Sequence, residues 1–446
     1  MKKTITTVLC LMLVLVLGMT LFACGNKEEA KNEIPKKDPV SLYKADGFEK
    51  STLKNQVSWE GINQFKPTTE IAELYKTDSA AAIAEARKVV VDFFTYAKTV
   101  TWIPADNWDF THHDDGTGPD TMTAGQVYGG LPYVGHGSSA IYRLMDFIDP
   151  ETGVVNIHAC GGKEHETQKM FGNQCANGAY QGYSRCINSA KYTGTPSMTL
   201  ANGFIPVGDY VYPEYTTKWT VGYNTKAVCA ENGEQTIYES YAKLQPGDGI
   251  VNYTTAGHII MIAGEPNVVR NEDGTINAAE STIRVVDQAV KFVPYQHPDG
   301  GDKCEIAQNA AHESKFASLF SGGYIPFTYK EWLGEDPIEV PETTYSHSGD
   351  SIELSKLFNT KVKSNYHIYD IYASIYDAVG NEVVKVATHN KGASNYELKM
   401  MRAGEQAYVW GNLDSLKAGE EYTVKVYAQL GTGERPDLWE GKLIVD

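Results

Sequence analysis

The sequence predicts an α+β protein that ends in a small Ig-like β-sandwich. Three observations carry this. An Ala-rich stretch from Ser79 to about Thr99 repeats apolar residues at helical spacing. Between Gly129 and about Trp332, short apolar runs alternate with Gly-rich turns. Beyond Pro341 the helical period disappears and β-branched and aromatic runs take over. At about 100–200 residues per domain, 446 residues make two or three domains. An apolar fraction of 42% is enough for packed cores, which excludes a largely disordered chain. A net charge of −17 argues against nucleic acid as a partner, because that binding is driven by Lys and Arg neutralising phosphates.

The N-terminus reads as an export signal. Lys2 and Lys3 precede an apolar run from Val8 to Leu17, too short to span a bilayer comfortably. It ends at Leu21-Phe22-Ala23-Cys24-Gly25, which resembles a bacterial lipoprotein cleavage box. The resemblance implies cleavage before Cys24, lipid on its thiol, and a chain anchored at the extracellular face of the cytoplasmic membrane. Removing 1–23 takes away two lysines and no acid, so the charge moves from −17 to −19. Residues 24–45 begin polar and patternless, and read as a flexible tether.

The folded body is expected over residues 46–335. Residues 41–75 read as irregular. Ser79 is the expected N-cap of the following helix, and Ile83, Val90, Phe93 and Phe94 form its apolar stripe. Trp102–Gly125, rich in Trp, Asp, His and Gly, reads as a loop. Gly334–Pro341 reads as a Pro/acid linker. Residues 343–446 then form the sandwich, with turns at Val379-Gly380-Asn381 and Lys417-Ala418-Gly419.

Five of the seven cysteines remain once Cys10 leaves with the signal and Cys24 takes lipid: Cys160, Cys175, Cys186, Cys229 and Cys304. The number is odd, so at least one stays free in an oxidising compartment. Cys175 follows the turn residues Gly172 and Asn173 and begins a helix-like stretch. A thiol there feels the positive end of the helix dipole, which favours thiolate. Cys186, eleven residues on, falls near the same face of an extended helix and competes for the role. His258 opens the return strand of a hairpin formed by Gly249–Tyr253 and His258–Gly264, and supplies the imidazole a nucleophilic thiol needs. Asp287 or Gln288, at the end of the next strand, would orient that ring; period-2 alternation lets only one of them do so, and Asp287 is preferred.

The series Gly130-Leu131-Pro132-Tyr133, Gln174-Cys175-Ala176-Asn177-Gly178, Pro246-Gly247-Asp248 and Gly257-His258-Ile259-Ile260 resembles, in that order, the motifs of NlpC-type cell-wall cysteine peptidases. It covers about residues 80–335. The resemblance implies a papain-like catalytic domain in which Cys175 is the nucleophile, His258 the base and Asp287 the third residue. It places Tyr133 and Gln174 at the oxyanion and substrate. Gln174 stands where the family has Asp, and Asp146–Gly172 reads as an insertion. The implied activity is endopeptidase or amidase cleavage of peptidoglycan stem peptides, by a monomer without cofactor or metal. A transglutaminase-like enzyme would place an aromatic soon after the histidine, where this chain has aliphatics. His158, Cys160 and His165, and the cluster His112-His113-Asp114-Asp115, lack familiar zinc spacing. The alternative is a surface binding lipoprotein whose inactive papain-like domain recognises wall glycan or peptide.

Overall fold

In the computed structural model, helix α1 (Ser79–Thr99) runs through the body and separates two apolar clusters. The structure describes residues 43–109, 121–134, 140–156, 172–289, 291–307, 310–390, 395–403 and 406–446. Its cap is Asp78 rather than Ser79: the Asp78 carboxylate accepts the Ala81 N–H at 3.0 Å. A carboxylate there also meets the positive end of the helix. Ala82, Ala86, Val90 and Phe94 face one cluster, while Phe93 and Ala97 face the other. The helix is buried on two sides, which explains its wide apolar stripe.

Helix α2 (Cys175–Tyr183) packs against α1, and all nine of its residues are buried. Two glycines make this possible. A Cβ on Gly178 would stand 3.0 Å from Gln288 Cβ and 3.3 Å from Phe94; one on Gly182 would stand 2.8 Å from Met261 and 3.0 Å from the Val90 carbonyl.

Behind α2 lies a sheet of six strands: β1 (Ile205–Pro206), β2 (Gly249–Tyr253), β3 (Gly257–Ile262), β4 (Thr282–Asp287), β5 (His312–Lys315) and β6 (Ile325–Thr328). Their order is β5-β4-β3-β2-β6-β1, with every neighbouring pair antiparallel. The Pro-Gly-Asp turn before β2 is a structural anchor. Buried Asp248 accepts from Arg87 at 3.0 Å, Thr328 Oγ1 at 2.6 Å and the Gln245 N–H at 2.8 Å.

The other cluster is covered by a second six-stranded sheet. It includes Thr101–Pro104, Tyr128–Gly129, Ile148–Asp149 and Val154–Val155. This corrects three expectations. Trp102 belongs to a strand and is fully buried, with its indole N–H on the Gly130 carbonyl at 2.7 Å. The described part of the expected insertion, residues 146–156, is core: Phe147, Ile148, Val154 and Val155 are buried. Residues 41–75 contain two short helices, Trp59–Asn63 and Thr68–Tyr75. Their shortness and the intervening Pro67 hid the period.

Residues 343–446 form a sheet of β7 (Ser351–Glu353), β8 (Ile368–Tyr376), β9 (Glu382–His389), β10 (Ala407–Gly411), β11 (Tyr422–Leu430) and β12 (Asp437–Ile444), in the order β7-β12-β11-β8-β9-β10. A three-stranded sheet of Thr343–Tyr345, Lys361–Ser364 and Glu397–Lys399 shares its apolar core through Val362 and Leu398. Strand β8 is buried on both faces. Ile371, Ala373 and Ile375 face the shared core. On the other face, Tyr372 donates to Asp146 of the body at 2.9 Å, and Lys385 of β9 reaches the same carboxylate at 2.7 Å. The linker is equally fixed: Ile338 is buried and the Glu339 carbonyl accepts from Tyr366 at 2.9 Å. No helix among the described residues is long and apolar enough to cross a membrane.

Candidate active site

Cys175 is the first residue of α2. Gln174 precedes it as an extended N-cap whose carbonyl accepts the Gly178 N–H at 2.8 Å. Gln174 does not cap with its side chain; its amide nitrogen donates to the Tyr192 hydroxyl instead. The segment before the helix is clamped from the side. Asn173 donates to the Pro132 carbonyl at 3.0 Å and accepts from Val134 at 3.1 Å, which sets Tyr133 alongside Asn173 in a parallel bridge. Gly172 is needed there: its φ is +149°, and a Cβ would lie 2.7 Å from the Pro132 carbonyl. Tyr133, 42 positions before Cys175, is therefore still held beside the helix start.

His258 is the second residue of β3. Asn252 on β2 sits opposite and accepts its backbone N–H at 2.8 Å. The β3–β4 register pairs Ile260 with Asp287. Paired residues share a face, and so do residues two apart on one strand. Asp287 and His258 therefore lie on one face, and their Oδ2 and Nε2 are 2.6 Å apart. The Cys175 thiol also hydrogen-bonds to His258. With Nε2 held by Asp287, that bond falls to Nδ1. The sulfur itself lies 4.0 Å from the Gly257 carbonyl.

The electrostatics follow. Burial pushes the Cys175 thiol up, but the hydrogen bond and charge of His258, with the N–H groups of Ile259 and Ala176, bring it below its ordinary value. Burial pulls His258 down, yet its bonds to Asp287 and Cys175 raise it to about 10. Both shifts favour the thiolate–imidazolium form of the pair.

The other described cysteines differ. Cys186, Cys229 and Cys304 are free and buried, and burial pushes each thiol up to about 12. Cys186 is no competitor on helical phase, because α2 ends at Tyr183 and the chain turns away before it. Gln288 is turned from the ring, as alternation requires. Its Nε2 donates to the Leu131 carbonyl at 2.9 Å, and its Oε1 accepts from buried Lys98. Cys24, Cys160, His158, His165 and the His112–Asp115 cluster lie outside the described residues. Among the described residues no group of three or more His, Cys, Asp or Glu side chains could hold a metal ion.

Sequence reasoning missed Asn252, Tyr192 and Lys98. Asn252 was signalled by a polar residue interrupting an apolar strand. Tyr192, pushed up to about 12 by burial and then by the Cys175 charge, had no local signal. Neither the comparison with protein-family models nor that with curated proteins found a match for the chain.

Proposed function

We propose that this chain is a cysteine hydrolase with a papain-like, NlpC-type catalytic domain, anchored through lipid on Cys24 at the outer face of the membrane. The observation that carries the proposal is the Cys175–His258–Asp287 arrangement. Among the described cysteines, only Cys175 has a thiol held below its ordinary value, and the imidazole that does so is itself fixed by a buried carboxylate. A helix starting at the nucleophile and packed on an antiparallel sheet that carries the histidine supports the papain-like assignment. The substrate class, peptidoglycan stem peptides, rests on the motif resemblance. Residues 343–446 are proposed as an Ig-like module that packs on the catalytic body.

In this mechanism the Cys175 thiolate attacks the amide carbonyl carbon. The Cys175 backbone N–H, at the open end of α2, takes the oxyanion with the Tyr133 segment beside it. His258 gives its Nδ1 proton to the leaving amine as the C–N bond breaks. Water then attacks the thioester, His258 takes its proton, and the C–S bond breaks to restore the ion pair. Asp287 holds the ring orientation throughout.

The test is digestion of purified muropeptides by the full chain and by Cys175→Ala, read by mass spectrometry of the products. Cleavage of an amide bond by the first protein and not the second is expected. Intact muropeptides with both would overturn the substrate assignment, and equal cleavage by both would overturn the nucleophile.

A further inference from the structure

Lys98 lies in the last turn of α1, where a lysine ordinarily reaches solvent beyond the helix end. Here it turns inward and is only 2% exposed. Its Nζ donates to Gln288 Oε1 and to the Ala307 carbonyl. Neither acceptor carries a charge. Burying an ammonium among neutral groups is costly, so a nearby negative charge is expected to offset it. Burial pushes the Lys98 ammonium down, with the Asp287 charge opposing, to about 7.

Asp287 is itself only half satisfied. Its Oδ2 meets His258, while its buried Oδ1 has no hydrogen-bond partner among the described residues. Gln288 joins the two observations. It is the next residue in the chain after Asp287. Its side chain abuts α2 at Gly178, one turn past Cys175, and its Nε2 holds the Leu131 carbonyl, two residues before Tyr133. A single side chain thus links α2, the segment before Tyr133 and the chain after Asp287, and Lys98 fixes that side chain.

We propose that Lys98 is a positioning residue for the Cys175–His258–Asp287 site: its amino group, held between Gln288 and the Ala307 carbonyl, braces the chain after Asp287. The inference rests on the hydrolase reading. Without Lys98, Gln288 loses that donor and the chain after Asp287 loses its brace, so the carboxylate is less well placed on the ring and His258 holds its proton less firmly.

The experiment measures the rate of Cys175 alkylation by iodoacetamide against pH, with peptide mapping. It uses the full chain, Lys98→Met, Lys98→Gln and Gln288→Met, each checked by its unfolding midpoint. The expected result is a fall of about tenfold near neutral pH in folded Lys98→Met, the equivalent of one pKa unit. The upper edge of its reactive window also moves down from about 10, the value of His258. Gln288→Met moves the profile in the same direction. A folded Lys98→Met with the unaltered profile, or with a uniform slowing and no shift of the edge, overturns the proposal. If Lys98→Met does not fold, Lys98→Gln decides by the same criterion. If Cys175 of the unaltered chain reacts no faster than an ordinary thiol, the hydrolase reading fails and takes this inference with it. A reactive Cys175 that is indifferent to Lys98 sinks the inference alone.

Discussion

The His258 imidazole meets the Asp287 carboxylate through Nε2 at 2.6 Å, which leaves Nδ1 for the Cys175 thiol. The β3–β4 register, with Asp287 opposite Ile260, produces this contact directly. A slip of one residue would turn the carboxylate away and bring Gln288 to the ring's face.

That contact fixes a pH window. Cys175 is lowered and His258 raised to about 10, so the thiolate–imidazolium pair forms as pH rises through the Cys175 value and is lost above about 10. Hydrolysis is expected to follow a bell with a falling limb near 10, read from kcat/KM against pH. A falling limb near the ordinary imidazole value of about 6.5 would contradict the ion pair.

Asp287→Asn keeps the size of the side chain and removes its charge. Turnover is expected to drop by about 10²–10⁴, with unfolding little changed. The falling limb moves down toward the ordinary histidine value. Steady-state kinetics and a denaturant melt check both parts.

Gly178→Ala separates propensity from packing. Within a helix this change alone would stabilise by about 1 kcal/mol. The added Cβ would meet Gln288 Cβ at 3.0 Å and Phe94 at 3.3 Å. Overpacking of this kind costs about 1–3 kcal/mol, so net destabilisation is expected in chemical denaturation, together with slower Cys175 alkylation.

Asp146 and Lys385, 2% and 1% exposed, form a buried pair between the body and strand β9. Lys385→Met removes the ammonium and leaves the buried carboxylate with Tyr372 and His389 only, and is expected to cost about 3–5 kcal/mol in a denaturant melt. Burial acts against the Asp146 charge, but Lys385, His389 and Tyr372 hold it below its ordinary 3.8. Burial likewise acts against the Lys385 charge, which Asp146 more than offsets, lifting it above 10.5. The Asp146 contribution is present above its unfolded value and is lost as pH falls through its lower folded value. The Lys385 contribution is present below 10.5 and is lost as pH rises through its higher folded value. Melts of the unaltered chain across pH are expected to show both losses, and Lys385→Met to show neither.

Much of this was legible in the sequence because it is local. The α1 stripe, the Gly249–Ile262 hairpin and the start of α2 at Cys175 follow from period, turn residues and glycines. Alternation alone restricted the third residue to one of Asp287 and Gln288. Long-range pairing was not legible. Trp102 finds its strand partners at Tyr128 and, through its neighbour Ile103, at Val154. Lys98 meets Gln288 across 190 residues, and no local pattern distinguishes it from a lysine at a helix end in solvent. The dense Tyr and Ile run of β8 signalled a strand, but only Asp146 reveals why both of its faces are apolar or buried.

The most direct test of the central claim is labelling of the full chain at neutral pH with a thiol-reactive amide probe, mapped by mass spectrometry, beside His258→Ala. In the variant the thiol loses the hydrogen bond and charge that lower it while burial still pushes it up, so at most a few per cent is thiolate at pH 7. The account predicts fast labelling at Cys175, little at Cys186, Cys229 or Cys304, and collapse of the Cys175 signal without His258. Labelling of Cys175 that is slow, or equally fast without His258, would contradict it.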